Sequence, residues 1–303
     1  MENTSFTFTH HYKNFSLVEG GHVPAFICKN KPPIIFDPGV SAFGPLYYQR
    51  ILPLMQDNTR LLILLTHSHF DHCGAAPYLR RKFPETQIGA SRRAAEVLQK
   101  ESAINLIRRF NAEYEAKMAD DIQGEDTSFS GITVDLPLKD GDRIQLADTC
   151  SFHVFETPGH TRDCLSYFFP DSGVLCAGEA AGVPEGDFIH SVFLASYEDY
   201  VSSIEKLRTI PAEALCIAHV GILVGRQQIS QYLAASLAAT QEYRSKIERY
   251  LERFNGNKEK VVDTIVAEEY DAKQQHLLNR NPFIANLQAK INAVCKLSGN
   301  KVN

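Results

Sequence analysis

The feature that most constrains this chain is a run of five aliphatic residues, Leu61-Leu62-Ile63-Leu64-Leu65. It empties directly into Thr66-His67-Ser68-His69-Phe70-Asp71-His72-Cys73-Gly74. An unbroken apolar run of this length, with no polar alternation, reads as a strand buried on both faces. Such strands occur where helices cover a sheet, so the run argues for a mixed α/β architecture. Three imidazoles and a carboxylate then follow within six residues, just past the end of a core strand. Loops held by rigid elements are where sites are built accurately.

The spacing carries chemistry. Two imidazoles separated by one residue, His67 and His69, can turn to the same side of an extended loop and grip one cation. Asp71 and His72 then face a second cation beside it, which makes them the catalytic candidates. Nitrogen and carboxylate donors suit zinc, and equally iron or manganese. Two ions roughly 3.5–4 Å apart share a bridging water and bring its pKa towards neutrality. A lone histidine is usually structural or exposed. A His-x-His-x-Asp-His cluster after a core strand has a metal mechanism behind it.

Further donors must come from later in the chain. His160 in Thr157-Pro158-Gly159-His160-Thr161, Glu179 in Cys176-Ala177-Gly178-Glu179, and His219 in Ile217-Ala218-His219-Val220-Gly221 each follow an apolar run. Singly each is weak; jointly they complete a coherent set of donors. His10, His11 and His276 sit in polar surroundings and read as surface. His22 and His153 read as structural, and His190 as a candidate pocket-lining residue. Cys73 adjoins the cluster but has no free histidine to activate it, so it reads as packing.

Short apolar segments bounded by turn residues fill the first two thirds of the chain and predict strands, from Phe15–Glu19 to Leu215–Ala218. Ser91–Ala119 predicts one long amphipathic helix with Ser91 as its N-cap. Tyr197–Leu207 continues the strand–helix alternation. From Arg226 the pattern is helical: Gln228–Phe254, Lys258–Glu269 and Pro282–Lys296, with Asn255-Gly256-Asn257 as a stop. The reading is an α/β body over 1–225 and a helical extension over 226–303, too apolar to be a loose tail and expected to pack over the site.

Composition narrows the partners. The 303 residues carry a net charge of −5. That argues against nucleic-acid and anionic-membrane partners, which select basic faces. Seven scattered cysteines, several in apolar runs, read as free buried thiols. The polar N-terminus has no apolar h-region and no stretch reaches membrane-span length, so a soluble cytoplasmic protein is expected. Oligomeric state stays open, with a homodimer the assembly to test.

The ordered motifs resemble the metallo-β-lactamase superfamily: His-x-His-x-Asp-His, Thr-Pro-Gly-His-Thr, an acidic residue after a strand, and a late Ala-His. Phe36-Asp37-Pro38-Gly39 is similar to that superfamily's early Asp-x-Gly turn, which lies near the site without binding metal. The resemblance covers about residues 15–225. Over Thr66–Asn111 it is closest to the quinolone-signal response group of pseudomonads, whose members also end in helices over the active site. It implies an αββα sandwich with a C-terminal helical extension. It implies His67, His69 and His160 on one metal, Asp71, His72 and His219 on the other, and Glu179 between them. It implies two divalent ions, zinc or iron with manganese also able to serve, and hydrolysis of a small acyl or aromatic ester or thioester. Glu179 departs from the family's usual Asp, which raises di-iron redox or oxygenase chemistry as an alternative. The pseudomonad group raises another, a regulatory protein with residual hydrolase activity.

Overall fold

The computed structural model describes residues 6–18, 24–55, 60–122, 124–147, 150–186, 188–272 and 280–299. His22 and His276 lie outside them. The strands are β1 (Phe8–Thr9), β2 (His11–Tyr12), β3 (Phe15–Val18), β4 (Ala25–Cys28), β5 (Ile34–Phe36), β6 (Leu62–Leu64), β7 (Gln87–Ser91) and β8 (Leu136–Leu138). They continue as β9 (Arg143–Ala147), β10 (Cys150–Glu156), β11 (Leu165–Phe169), β12 (Val174–Cys176), β13 (Val183–Glu185), β14 (Phe188–His190), β15 (Ala214–Ile217) and β16 (Gly221–Val224). One seven-stranded sheet has the order β2-β3-β4-β5-β6-β7-β8, and a second has β1-β16-β15-β12-β11-β10-β9. β13 and β14 form a separate antiparallel hairpin.

The helices are α1 (Gly44–Met55), α2 (Phe70–Cys73), α3 (Ala76–Lys82), α4 (Arg92–Val97), α5 (Glu101–Lys117), α6 (Ala119–Ile122), α7 (Tyr197–Arg208), α8 (Arg226–Arg253), α9 (Lys258–Val266) and α10 (Arg280–Gly299). Among the described residues, no helix is long and apolar enough to cross a membrane.

Side-chain alternation explains the layers. On β5 and β6, Ile34, Phe36, Leu62 and Leu64 point into the gap between the sheets and meet Phe152, Tyr167, Phe169 and Val174. Their neighbours Ile35, Ile63 and Leu65 point outward against Tyr47, Ile51 and Leu79 of α1 and α3. Both faces of the aliphatic run are therefore buried, as its composition requires. The second sheet does the same with Leu175, Leu215 and Leu223, which pack on Leu207, Tyr232 and Leu233. The result is helix, sheet, sheet, helix, the αββα sandwich.

The tail builds its own apolar layer. Ile247, Val261, Ile265, Leu287, Ile291 and Val294 pack with Phe193, Tyr197 and Tyr200 of the body. The segment 91–119 differs from expectation: α4 ends at Val97, and α5 starts afresh at Glu101 after an extended Lys100. Ser91 does cap α4, its hydroxyl accepting from the Ala94 N–H at 2.9 Å. All seven cysteines are free thiols; six are buried and Cys295 is half-buried.

Candidate metal centre

Direction of travel puts the site at one edge. β5, β6 and β7 run parallel. β12 and β15 run parallel as well, and β10 shares their direction through two antiparallel pairings. Their carboxyl ends deliver Asp37, the 66–72 loop, His160, Glu179 and His219. Open α/β sheets build sites at such ends.

All seven donors singled out by sequence come together in two adjoining groups. In each group the donor atoms lie within 4.8 Å of one another: His67, His69, His160 and Glu179 in one, Asp71, His72 and His219 in the other. Glu179 stands at the junction. Its Oε2 lies 2.8 Å from His160 Nε2, 3.3 Å from His67 Nε2 and 3.4 Å from His72 Nε2. Its Oε1 lies 3.4 Å from His219 Nε2.

The far side of each buried imidazole is braced. Thr66 Oγ1 donates to Asp37 Oδ2 at 2.7 Å, so it can accept only from His67 Nδ1–H, 3.0 Å away. His160 Nδ1–H donates to the Val192 carbonyl at 2.8 Å. His72 Nδ1 faces Asp37 Oδ2 at 3.0 Å. The contacts to Thr66 and to the Val192 carbonyl fix the tautomers of His67 and His160 that leave Nε2 aimed inward. His67 Nε2 and both ring nitrogens of His72 are buried without a hydrogen bond, and an orphaned buried polar atom is costly unless something binds it. His69 Nδ1 and His160 Nε2 face one another at 3.1 Å. Lone pairs converging in this way are what a cation ligates, so the residues fit two divalent ions.

Electrostatics divide the imidazoles: burial would lower His72 and His219, but Asp37 and Asp71 hold His72 well above the usual range and Glu179 raises His219. Burial holds His67 well below the usual imidazole range, with His72 adding to the effect. Burial, reinforced by His160, holds His69 at about 4. Both are therefore neutral donors at pH 7, the form that binds metal. Burial would raise Glu179, but the surrounding imidazoles, His160 first, outweigh it and keep the carboxyl ionised.

Two backbone features show how tightly this edge is packed. Gly159 has φ +131°, and a Cβ there would lie 2.3 Å from Tyr200 Cα. His219 itself takes φ +67°, a region non-glycine residues rarely occupy outside functional sites.

Three supporting residues were missed by sequence reasoning. Asp163, buried, accepts from the Ser68 N–H at 2.9 Å and steadies the histidine loop. Tyr200 donates its hydroxyl proton to the Glu179 carbonyl at 3.0 Å. Asn111 accepts from the Ser41 N–H at 2.7 Å. Each acts across 21 or more positions of chain, so no local pattern marks it. Among the residues read as bland, His10 and His11 are exposed. Cys73 is fully buried, and burial pushes its thiol far up. His190 is half-buried and pairs with Glu185 at 2.5 Å, outside both donor groups.

With fold and donors in place, sequence comparison adds a family. Residues 19–219 match the model of the metallo-β-lactamase superfamily, and the chain belongs to it. Its relatives include hydroxyacylglutathione hydrolases. The one from Nitrobacter winogradskyi is 28% identical over 184 residues, 59% of this chain and 57% of the relative. The one from Hamiltonella defensa is 26% identical over 208 residues, 67% of this chain and 63% of the relative. The chain thus spans less than two thirds of each of these relatives.

Among solved structures, a metallo-β-lactamase family protein from Thermus thermophilus aligns with a TM-score of 0.62 at 16% identity. That alignment covers 95% of this chain and 94% of the other. The B3 metallo-β-lactamase BLEG-1 aligns with a TM-score of 0.52 at 22% identity, covering 75% and 99%. These likenesses establish the shared fold.

Proposed function

We propose that the protein is a di-metal hydrolase that cleaves a small thioester or ester. The observation that carries this reading is the convergence of five imidazoles and two carboxylates on one sheet edge, with Glu179 between the two groups. His67, His69 and His160 would hold one ion, Asp71, His72 and His219 the other, and Glu179 would span them. Two divalent ions held there would supply a water acidified to near-neutral pKa and draw electron density from an acyl oxygen.

The residues of this chain do the rest. Asp37, Thr66 and the Val192 carbonyl keep the imidazoles from turning. Burial of His67, His72 and His160 excludes bulk water and strengthens each local charge. Half-exposed Asp71 stands beside His72 at the open side, where an incoming acyl group would meet it. Hydrolysis forms a bond from water oxygen to the acyl carbon, breaks the C–S or C–O bond, and returns a proton to the leaving group. No serine or cysteine nucleophile is needed, and Cys73, buried and neutral, is unsuited to be one.

The relatives named hydroxyacylglutathione hydrolase support a thioester as first choice. Zinc is the first ion to test. Iron is second, because imidazole and carboxylate donors serve both and Glu179 adds a longer carboxylate arm. We also read residues 1–225 as the catalytic unit and 226–303 as an extension that closes over it. In support, Tyr232 of α8 donates to the Gly182 carbonyl at 3.0 Å, and Ser191 donates to Thr240 of α8 at 2.9 Å. Both contacts fall on the segment that follows Glu179.

The test is turnover of a panel of acyl-thioester, aryl-ester and lactone substrates by zinc-loaded and iron-loaded protein, beside a His69→Ala variant. The expected result is thioester turnover at least about 10³-fold above that variant. Activity equal to the variant on every substrate ends the hydrolase reading. Oxygen consumption by the iron form alone would replace it with a redox one.

A further inference from the structure

Glu179 sits on a turn, Ala177 to Gly182, that joins β12 to β13. Two glycines bracket the carboxylate, Gly178 at φ +55° and Gly182 at φ +83°. Neither has room for a side chain. A Cβ at Gly178 would lie 2.7 Å from Thr66 Oγ1, and one at Gly182 would lie 2.7 Å from Ser236 Oγ of α8. One side of the turn therefore packs on the residue that braces His67, and the other on the helical tail.

Two tyrosines hold the backbone of this turn. Tyr200 of α7 donates its hydroxyl proton to the Glu179 carbonyl at 3.0 Å. Tyr232 of α8 donates to the Gly182 carbonyl at 3.0 Å. The Gly182 N–H donates to the Glu179 carbonyl at 3.2 Å, so the tyrosines grip the two ends of one closed turn. Both side chains are fully buried. Phe6 and Phe8 stand edge-on to the Tyr232 ring, with centroids 5.2 and 6.4 Å away. A ring packed in this way cannot swing, so its hydroxyl delivers the hydrogen bond at a fixed point.

The carboxylate has use for such a grip. Its two oxygens meet the Nε2 atoms of His160, His67, His72 and His219 at 2.8 to 3.4 Å. Donor sets of this kind tolerate displacements of only about 0.5 Å. Glutamate has one more rotatable bond than aspartate between backbone and carboxylate, so its aim depends more on where its backbone is held.

We propose that Tyr232 and Tyr200 are positioning residues for Glu179, so that docking of the helical tail on this turn sets how tightly the metal pair is bound. The proposal rests on the reading of Glu179 as the group that spans two ions, and its test reads metal rather than turnover. Coupling between two binding events is reciprocal. If tail docking strengthens metal binding, metal binding strengthens tail docking.

Zinc is titrated into metal-free full-length protein against a chromophoric chelator, for wild type, Tyr232→Phe and Tyr200→Phe. Each substitution keeps the ring and removes one hydroxyl. Tyr243→Phe is the control, a tyrosine of the same helix whose hydroxyl donates to Glu269 at 3.0 Å instead of to the turn. The weaker of the two zinc sites should lose about 10–100-fold in affinity in Tyr232→Phe and Tyr200→Phe, and nothing in Tyr243→Phe. Hydrogen exchange supplies the reciprocal reading: zinc should slow exchange in α8 of wild type, and slow it less in Tyr232→Phe. A tyrosine that only packs would lower the melting temperature and leave both readings where wild type has them.

Zinc affinity equal to wild type in both variants, or an equal loss in Tyr243→Phe, overturns the proposal. Should Tyr232→Phe fail to fold, Tyr200→Phe decides by the same readings. Wild-type protein that takes up fewer than two zinc ions overturns both this and the di-metal reading. A protein whose zinc affinity follows the tyrosines yet which cleaves no thioester keeps the positioning role and loses the hydrolase reading.

Discussion

The metal edge and the helical tail solve opposite problems. At the edge, His67, His72 and His160 are nearly fully buried polar groups, each held by a specific partner and crowded on short loops. Its backbone includes strained positions at Asp37, with φ +47°, and His219, with φ +67°. In the tail, Ile247, Val261, Ile265, Leu287 and Ile291 pack as an ordinary apolar layer. One buried cation interrupts it: Lys290, over the Tyr243 ring at 4.4 Å. The edge spends stability on aim, and the tail's burial helps restore it.

Three substitutions would break or sharpen this contrast. The largest effect is expected from Gly159→Ala. The new Cβ would meet Tyr200 backbone at 2.3 Å in a conformation that alanine resists. Destabilisation of about 3 kcal/mol or more is expected by thermal unfolding. A variant as stable as wild type would show the edge to be less tightly packed than described.

Asp37→Asn comes next. It keeps the shape but removes the carboxylate that accepts from Thr66 and faces His72. Metal affinity, read by competition with a chelator, should fall about 10–100-fold with the fold retained. Unchanged affinity would mean that the braces do not orient the donors.

Lys290→Met probes the tail and should give the smallest effect. Burial lowers Lys290 to about 8, with Glu269 opposing. In the unfolded chain the amine titrates near its ordinary 10.5. Below pH 8 the folded state carries the full cost of a buried charge. Between pH 8 and 10.5 the unfolded state binds more protons, so wild-type stability rises. The variant should be more stable than wild type at pH 7, with the gap closing by about pH 10.5. Parallel stability curves for the two proteins across that range would refute the buried charge.

Much was legible in sequence because it was local. Leu61–Leu65 had to be buried on both faces, and the loop behind it could have few uses but metal binding. His160, Glu179 and His219 were legible because each sits just beyond an apolar strand. The single helix expected over Ser91–Ala119 is two helices, and nothing in the apolar period marks the break at Lys100. β16 and the β13–β14 hairpin were passed over. Asp163, Tyr200 and Asn111 could not be found at all, since their partners lie far along the chain.

By itself the sequence determined the side-chain chemistry: which residues can give up a lone pair, and which strands must be dry on both sides. Those depend on residue type and short-range period, and both are written in the chain. Tertiary structure alone decided that Glu179 stands between the two donor groups and that Thr66 and Val192 set the tautomers of His67 and His160. It alone brought Tyr200 and Tyr232 from distant segments onto the turn that carries Glu179. The reason is that strand direction and sheet order fix which loop ends meet, and neither is encoded in any stretch short enough to read locally.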